Sequence, residues 1–438
     1  MKIAGIATLL VLGVALAGCG AQATNSRANG SGVPAALSSR PGQALNLKTD
    51  DVIARDQRLV RANPANWQAT DELAAAYLQR VREVGDPSYY PKAEALLQAA
   101  LRHDPADLEA TTQMGTLSLA RHQFADALAW GRKAHALGPF ASRPLGIISD
   151  AQTQLGHYDE AIASLQQMVN LRPDLSSYSR ISYLRELYGD VPGAIDAMKQ
   201  AIQAGGPVPE NLAYTEVLLG NLYFNGGHLT DAEGQYQRAL RDFPGYVQGL
   251  AGLASVRAAQ KKYGDALALY QRAIDIYPVP QYVIALGDVY AASGSPKKAA
   301  ATYDLAAAEQ RLFTANGVDL DQELALFDAD HQRDLPEALA AARRAMRDRP
   351  NVITADSLAW TLYQTGDYPS AMAASTQAHR LGTLDALAYF HTGMIEKQLG
   401  QAALAQADLQ KAIAINPYFS VLYQADAVRA LASLKGHA

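Results

Sequence analysis

Cysteine is nearly absent from this chain. Cys19 is the only one in 438 residues, so no intramolecular disulfide can staple the fold and no cysteine pair can hold a metal. Catalytic signatures are missing as well. There is no HExxH pair, no glycine-rich phosphate loop and no GxSxG elbow, and the nine histidines, His391 among them, show no ligand spacing. Ser295 and Lys298 match SxxK in form, without either companion motif of that acyl-transfer class. Positive charge is not in excess: 38 Lys and Arg stand against 43 Asp and Glu, a net −5, which removes the electrostatic footprint of a nucleic-acid binder. Beyond the amino terminus no apolar run approaches the roughly 20 residues that span a bilayer. These absences point to no catalytic residue, no metal and no cofactor, and away from an enzyme.

What is present begins at the amino terminus. Lys2 precedes an apolar run of about fifteen residues, Ile3 to Ala17, that ends at small residues. That is the layout of a Sec-type export signal rather than of a membrane-spanning helix. Leu16-Ala17-Gly18-Cys19 resembles the lipobox of bacterial lipoproteins. The resemblance implies cleavage after residue 18, a diacylglyceryl group on the Cys19 thiol and acylation of the new amino terminus. Two or more acyl chains, at about 0.8 kcal/mol per buried CH₂, hold a protein on a membrane where one chain does not. An unlipidated signal, a free thiol and an intermolecular disulfide are the other readings of an odd cysteine. Residues 19–49 form the lipidated cysteine and a tether rich in Gly, Ser, Ala, Asn and Pro, with a root-mean-square span of about 30 Å. Gly20, rather than Asp, follows the cysteine. In lipoproteins this implies the periplasmic face of an outer membrane where there are two membranes, and otherwise the outer face of the plasma membrane.

The 20 prolines are not scattered. Pro105, Pro139 and Pro173 lie 34 residues apart, as do Pro244 and Pro278, and Pro350 to Pro417 is 67. A fixed step of that length marks a repeat array. In one unit Leu219, Gly220, Tyr223, Ala232, Tyr236, Ala239 and Pro244 follow the tetratricopeptide (TPR) spacing. The register continues through Leu253, Ala254, Ala266, Tyr270 and Ala273, and again through Leu286, Gly287, Tyr290, Ala299, Tyr303 and Ala306. The chain thus resembles TPR proteins, which implies an all-α, right-handed solenoid of helical hairpins with about ten repeats over residues 66–417. Small residues such as Gly220 and Ala232 let paired helices approach to about 8–10 Å, and large ones fill the gaps between hairpins. Glycines 156, 189, 227, 294, 366 and 400 fall where first helices should end. Ends of a solenoid need covers, expected as capping helices over residues 50–65 and 418–438, the latter presenting Val428, Leu431 and Leu434 on one face.

Two stretches depart from the period. The first unit carries about seven extra residues, expected to lengthen a turn that presents Tyr89 and Tyr90, as a loop packed against its own repeat sooner than as a partner contact. Residues 317–350 lack the Leu-Gly pair and gather Asp319, Asp321, Asp328, Asp330 and Asp334, expected as capping residues on a solvated face. In TPR proteins the first helices line a concave groove that takes an extended peptide or partner helix. Carried over by register, that groove would include Asp150, Tyr214, Asn221, Phe224, Asp288, Trp360, Tyr363, Phe390 and Met394. Val217 stands where the lysine of a carboxylate-clamping TPR domain would lie beside Asn221, which argues against Hsp90-type tail binding. The reading is therefore a membrane-anchored scaffold for protein partners in the cell envelope, with an accessory or ligand-binding solenoid for a small molecule or polysaccharide, or a cryptic enzyme, as the alternative.

Overall fold

A computed structural model describes residues 48–206 and 208–435. Cys19, the export signal and the tether lie outside the described residues. Within them are 22 helices and no strand. A leading helix, α1 (Thr49–Ala62), is followed by hairpins of α2 (Trp67–Val84) with α3 (Tyr89–His103), α4 (Leu108–Ala120) with α5 (Phe124–Leu137), α6 (Ser142–Gln154) with α7 (Tyr158–Leu171), α8 (Leu175–Leu187) with α9 (Val191–Ala204) and α10 (Pro209–Asn225) with α11 (Leu229–Asp242). Five more hairpins follow: α12 (Val247–Ala259) with α13 (Tyr263–Ile276), α14 (Pro280–Ala292) with α15 (Pro296–Ala315), α16 (Asp321–Asp330) with α17 (Leu335–Asp348), α18 (Val352–Thr365) with α19 (Tyr368–Ala378) and α20 (Ala386–Gln398) with α21 (Ala402–Ile415). A final helix, α22 (Gln424–Lys435), ends the array. The ten hairpins form the all-helical TPR solenoid that the proline period implied.

The hairpin core follows from side-chain size. A Cβ on Gly220 of α10 would lie 2.6 Å from the Tyr236 ring of α11, and one on Gly252 of α12 would lie 2.4 Å from the same ring. Tyr236 thus packs where two glycines leave room for its ring, and Tyr303 packs against Gly287, whose Cβ would lie 2.4 Å away. The turns inside hairpins need a left-handed residue. Glycines 156, 189, 227, 294, 366 and 400 supply it at φ of +75° to +86°, whereas His122, Lys261 and Gln332 take the same conformation without that freedom.

The coil closes on itself along a seam. The turn within each of the first five hairpins meets a link between hairpins one superhelical turn later. Gly85 faces Val279. The Asp319 amide donates to the Arg121 carbonyl at 2.9 Å, and the Gln123 amide to the Gly317 carbonyl at 3.1 Å. The Asn351 amide donates to the Gln154 carbonyl at 2.8 Å, and the Val352 N–H to the Tyr158 hydroxyl at 2.9 Å. Thr383 donates to the Leu187 carbonyl, and the Asn416 amide to that of Phe224 at 3.0 Å. The bonded partners are 192 to 198 residues apart throughout. With a repeat of about 34 residues, one superhelical turn takes about five and a half hairpins.

Three local expectations are corrected. The extra residues of the first unit lengthen α2 rather than a loop, and Tyr90 is buried at the start of α3, with Tyr89 half-buried against Tyr77 at 5.5 Å. Asp330 is buried because it accepts from both Trp360 Nε1 and the Tyr423 hydroxyl, each at 2.8 Å. In α22 the packed face is Ala427, Ala430, Leu431 and Leu434, while Val428 is exposed.

Candidate functional site

The first helices of the hairpins face inward, and around the coil axis they leave a cavity of about 240 Å³. Both superhelical turns build its wall. Leu78 and Val81 come from α2, Tyr214 from α10, Ile284 from α14, and Phe313, Val318 and Leu320 from the end of α15 and the link beyond it. That link is there because α15 runs for 20 residues, against 14 for most second helices, and its extra turns carry the chain across the axis toward α2 and α4. The polar groups of the wall are largely matched. Arg82 pairs with Glu210 and also reaches Asn211, and Glu210 accepts a further bond from the Tyr246 hydroxyl at 2.8 Å.

Farther along, α18 and α20 hold an aromatic stack. Trp360 lies between Tyr363, at 4.7 Å and 6°, and His391, at 4.2 Å and 14°. His391 Nδ1 lies 3.0 Å from Asp356. Tyr423 and Phe419, from the segment before α22, cover Phe390 at 4.9 and 5.5 Å, and Tyr423 meets Trp360 edge-on at 5.3 Å. Asp330 sits beneath, its carboxyl raised to about 6 by burial, an effect that His331, His391 and the two donors from Tyr423 and Trp360 only partly offset. A second buried carboxylate, Asp288, accepts from the Tyr303 hydroxyl at 2.6 Å and lies 2.8 Å from His331 Nε2. Burial pushes Asp288 up, and His331 and Tyr303 oppose the shift. Burial lowers the His331 imidazole, but the Asp288 and Asp330 charges outweigh it and the net shift is upward.

The residues singled out by register therefore divide. Tyr214, Asp288, Trp360 and Phe390 are buried, and a partner does not reach them in this arrangement. Asp150 is engaged by Arg180 through two bonds of 2.9 and 2.7 Å, and Asn221 accepts from the Tyr236 hydroxyl at 2.7 Å. Asn221, Phe224, Tyr363 and Met394 stay half-buried. Tyr363 and Met394 lie together against the Trp360 cluster, whereas Asn221 and Phe224 face Tyr418 and Phe419 around a smaller cavity of about 90 Å³. Sequence reasoning missed the cavity residues Gln310 and Gln322. A usable signal was present: no proline occurs between Pro296 and Pro336, so the punctuation expected near residue 312 is absent. Among the described residues no group of three or more His, Cys, Asp or Glu is placed to hold a metal ion, and no helix is long and apolar enough to cross a membrane.

Comparison with known proteins bears on the repeats. Family models described as tetratricopeptide repeat match residues 217–279, 143–175 and 386–419. Anaphase-promoting complex subunit 7 of Arabidopsis thaliana is 23% identical over 252 residues, covering 57% of this chain and 43% of that protein. Superkiller complex protein 3 of Mus musculus is 35% identical over 85 residues, 19% of this chain and 5% of that one. The chain thus spans less than half the length of these curated relatives. The crystal structure of yeast Tom70 aligns at 13% identity over 89% of this chain and 96% of that chain, with a TM-score of 0.37. The residues that the family models match carry tetratricopeptide repeats, and they fall within the array of helical hairpins.

Proposed function

We propose that this chain is a lipid-anchored scaffold that assembles protein partners in the bacterial cell envelope, tethered through Cys19 on the periplasmic face of an outer membrane or, with one membrane, on the outer face of the plasma membrane. The observation that carries the reading is the extent of the repeats. Hairpins run from Trp67 to Ile415, so the repeat surface is nearly the whole functional surface of the described body. Such surfaces bind extended peptides or helices. The half-buried rim of Tyr363 and Met394 is the proposed contact. A partner that used Trp360 or Phe390 would first have to displace Tyr423 and Phe419. A second contact reading rests on Phe140, which is 90% exposed and has the exposed Leu137 three residues before it.

The test has two parts. Radiolabelled palmitate should enter the wild-type chain and not Cys19→Ser, because serine cannot form the thioether; label on the mutant refutes the anchor. Cross-linked complexes purified from membranes should lose their protein partner in Tyr363→Ala and keep it in Phe140→Asp. The reverse pattern moves the contact to the α5–α6 edge, and a wild-type chain that captures no protein refutes the scaffold.

A further inference from the structure

We propose that the axial cavity is a binding site for a small neutral amide, a molecule with an apolar body and one uncharged head that both accepts and donates hydrogen bonds. Size sets the first limit. On the scale where a cavity of about 150 Å³ holds benzene, the 240 Å³ between α2, α14, α15 and α16 has room for a somewhat larger molecule. Most of the wall is apolar, with Val81, Val279, Ile284, Phe313, Leu320 and Leu326 supplying hydrocarbon from both superhelical turns.

Charge sets the second limit. Each ionisable side chain on the wall already has its counterpart in the protein. Arg82 is taken by Glu210, and Asp330 by the donors on Trp360 and Tyr423. Asp356 faces His391 at 3.0 Å. Glu323 lies 3.6 Å from His122 and 3.5 Å from Arg349. A charged ligand would enter with no free opposite charge to meet it, which makes its desolvation prohibitive.

Glu323 makes no hydrogen bond through its carboxylate oxygens, which have Arg349 and His122 only at ion-pair distance, and the other unmatched groups on the wall are amides. Gln310 is 2% exposed and lines the cavity, yet neither its Oε1 nor its Nε2 has a partner in the protein. Gln322, 4% exposed on the same wall, has an unpartnered Oε1. A carboxamide offers one acceptor and two donors, and its complement is another amide. Gln310 is the fifteenth residue of α15, just past the length shared by most second helices, so the elongation that breaks the repeat is what brings it to the axis. A buried, unpaired amide destabilises the empty fold. A ligand head that bonds to it reverses that cost and joins the two turns of the coil.

Octanamide is the probe, with octanoate as its charged counterpart. Isothermal titration of the full-length chain should show one octanamide site with a Kd on the order of 100 μM, as for a ligand of about ten non-hydrogen atoms, and octanoate should bind at least tenfold more weakly. Gln310→Met, of similar volume, should weaken octanamide at least tenfold and, without ligand, raise the melting temperature, a gain that a structural role for Gln310 would not give. Ile284→Trp narrows the cavity from another helix and should abolish binding, which keeps the test open if the first variant misfolds. No octanamide binding to the wild type, equal binding of octanoate, or unchanged binding in Gln310→Met or Ile284→Trp overturns the proposal. Protein capture from membranes is scored separately, so the scaffold reading stands or falls on its own data.

Discussion

At the scale of single residues, the body carries carboxyl groups in places that favour their protonated form. Asp71 and Glu186 are pushed up to about 7, burial being the main cause in each, and Asp330 to about 6. A folded-state pKa above the unfolded value near 4 means that the folded chain holds these protons more tightly. Their contribution is therefore most favourable in acid and is lost as pH rises from about 4 to about 7. His331, raised by Asp288, acts in the same direction, being most favourable below its unfolded value and lost as pH climbs through its folded one. His379, lowered by burial, opposes this, since its stabilising effect is lost as pH falls below about 6.5. The balance predicts a higher urea midpoint at pH 5 than at pH 8. Asp330→Asn keeps an acceptor for Trp360 and Tyr423 but cannot ionise, so it should flatten the difference by about 1 kcal/mol. An unchanged pH slope in that variant would show that Asp330 is not among the responsible groups.

At the scale of helices, the glycine-aromatic clasp holds the hairpins together. Gly220→Leu places a branched side chain where even a Cβ lies 2.6 Å from Tyr236, and should cost about 1–3 kcal/mol in a urea melt. Asp231→Ala, on the first turn of α11 and exposed, should cost at most about 1. Stability of Gly220→Leu equal to the parent would contradict the clasp. Much at this scale was legible in the chain itself. The register of Gly220, Tyr236 and Gly287, the hairpin count and the glycine turns follow from a local period, because each unit contacts chiefly its neighbours. What was not legible depends on contacts outside that period. Trp360 and Phe390 sit at positions that read as groove, and only the return of Phe419 and Tyr423 turns them into core. Asp330 reads as one more surface aspartate until Trp360 and Tyr423, 30 and 93 residues away, are brought to it. Gln310 lies where a second helix should already have ended.

At the scale of the molecule, the array is a closed coil, in which hairpins about five and a half apart touch along a seam. Its bonds are few and mostly polar. Asn416 is one hinge of it, 1% exposed, donating to the Phe224 carbonyl and accepting from the Tyr418 amide at 2.8 Å. Closure decides what the protein can bind, since it brings both turns of the coil around the axial cavity and covers the aromatic cluster, leaving the rim and outer faces for larger partners. The most direct measurement is the distance across the seam between spin labels in a Cys19→Ala background. Labels replace the exposed His157 and Arg380, the latter now lying 5.4 Å over the ring of Tyr158. A closed coil gives one narrow distribution on the order of 20 Å, as for labels on elements packed about 10 Å apart, and adding Asn416→Ala should broaden it. A wild-type distribution that is broad and centred far beyond that distance would mean an open solenoid and would contradict the account.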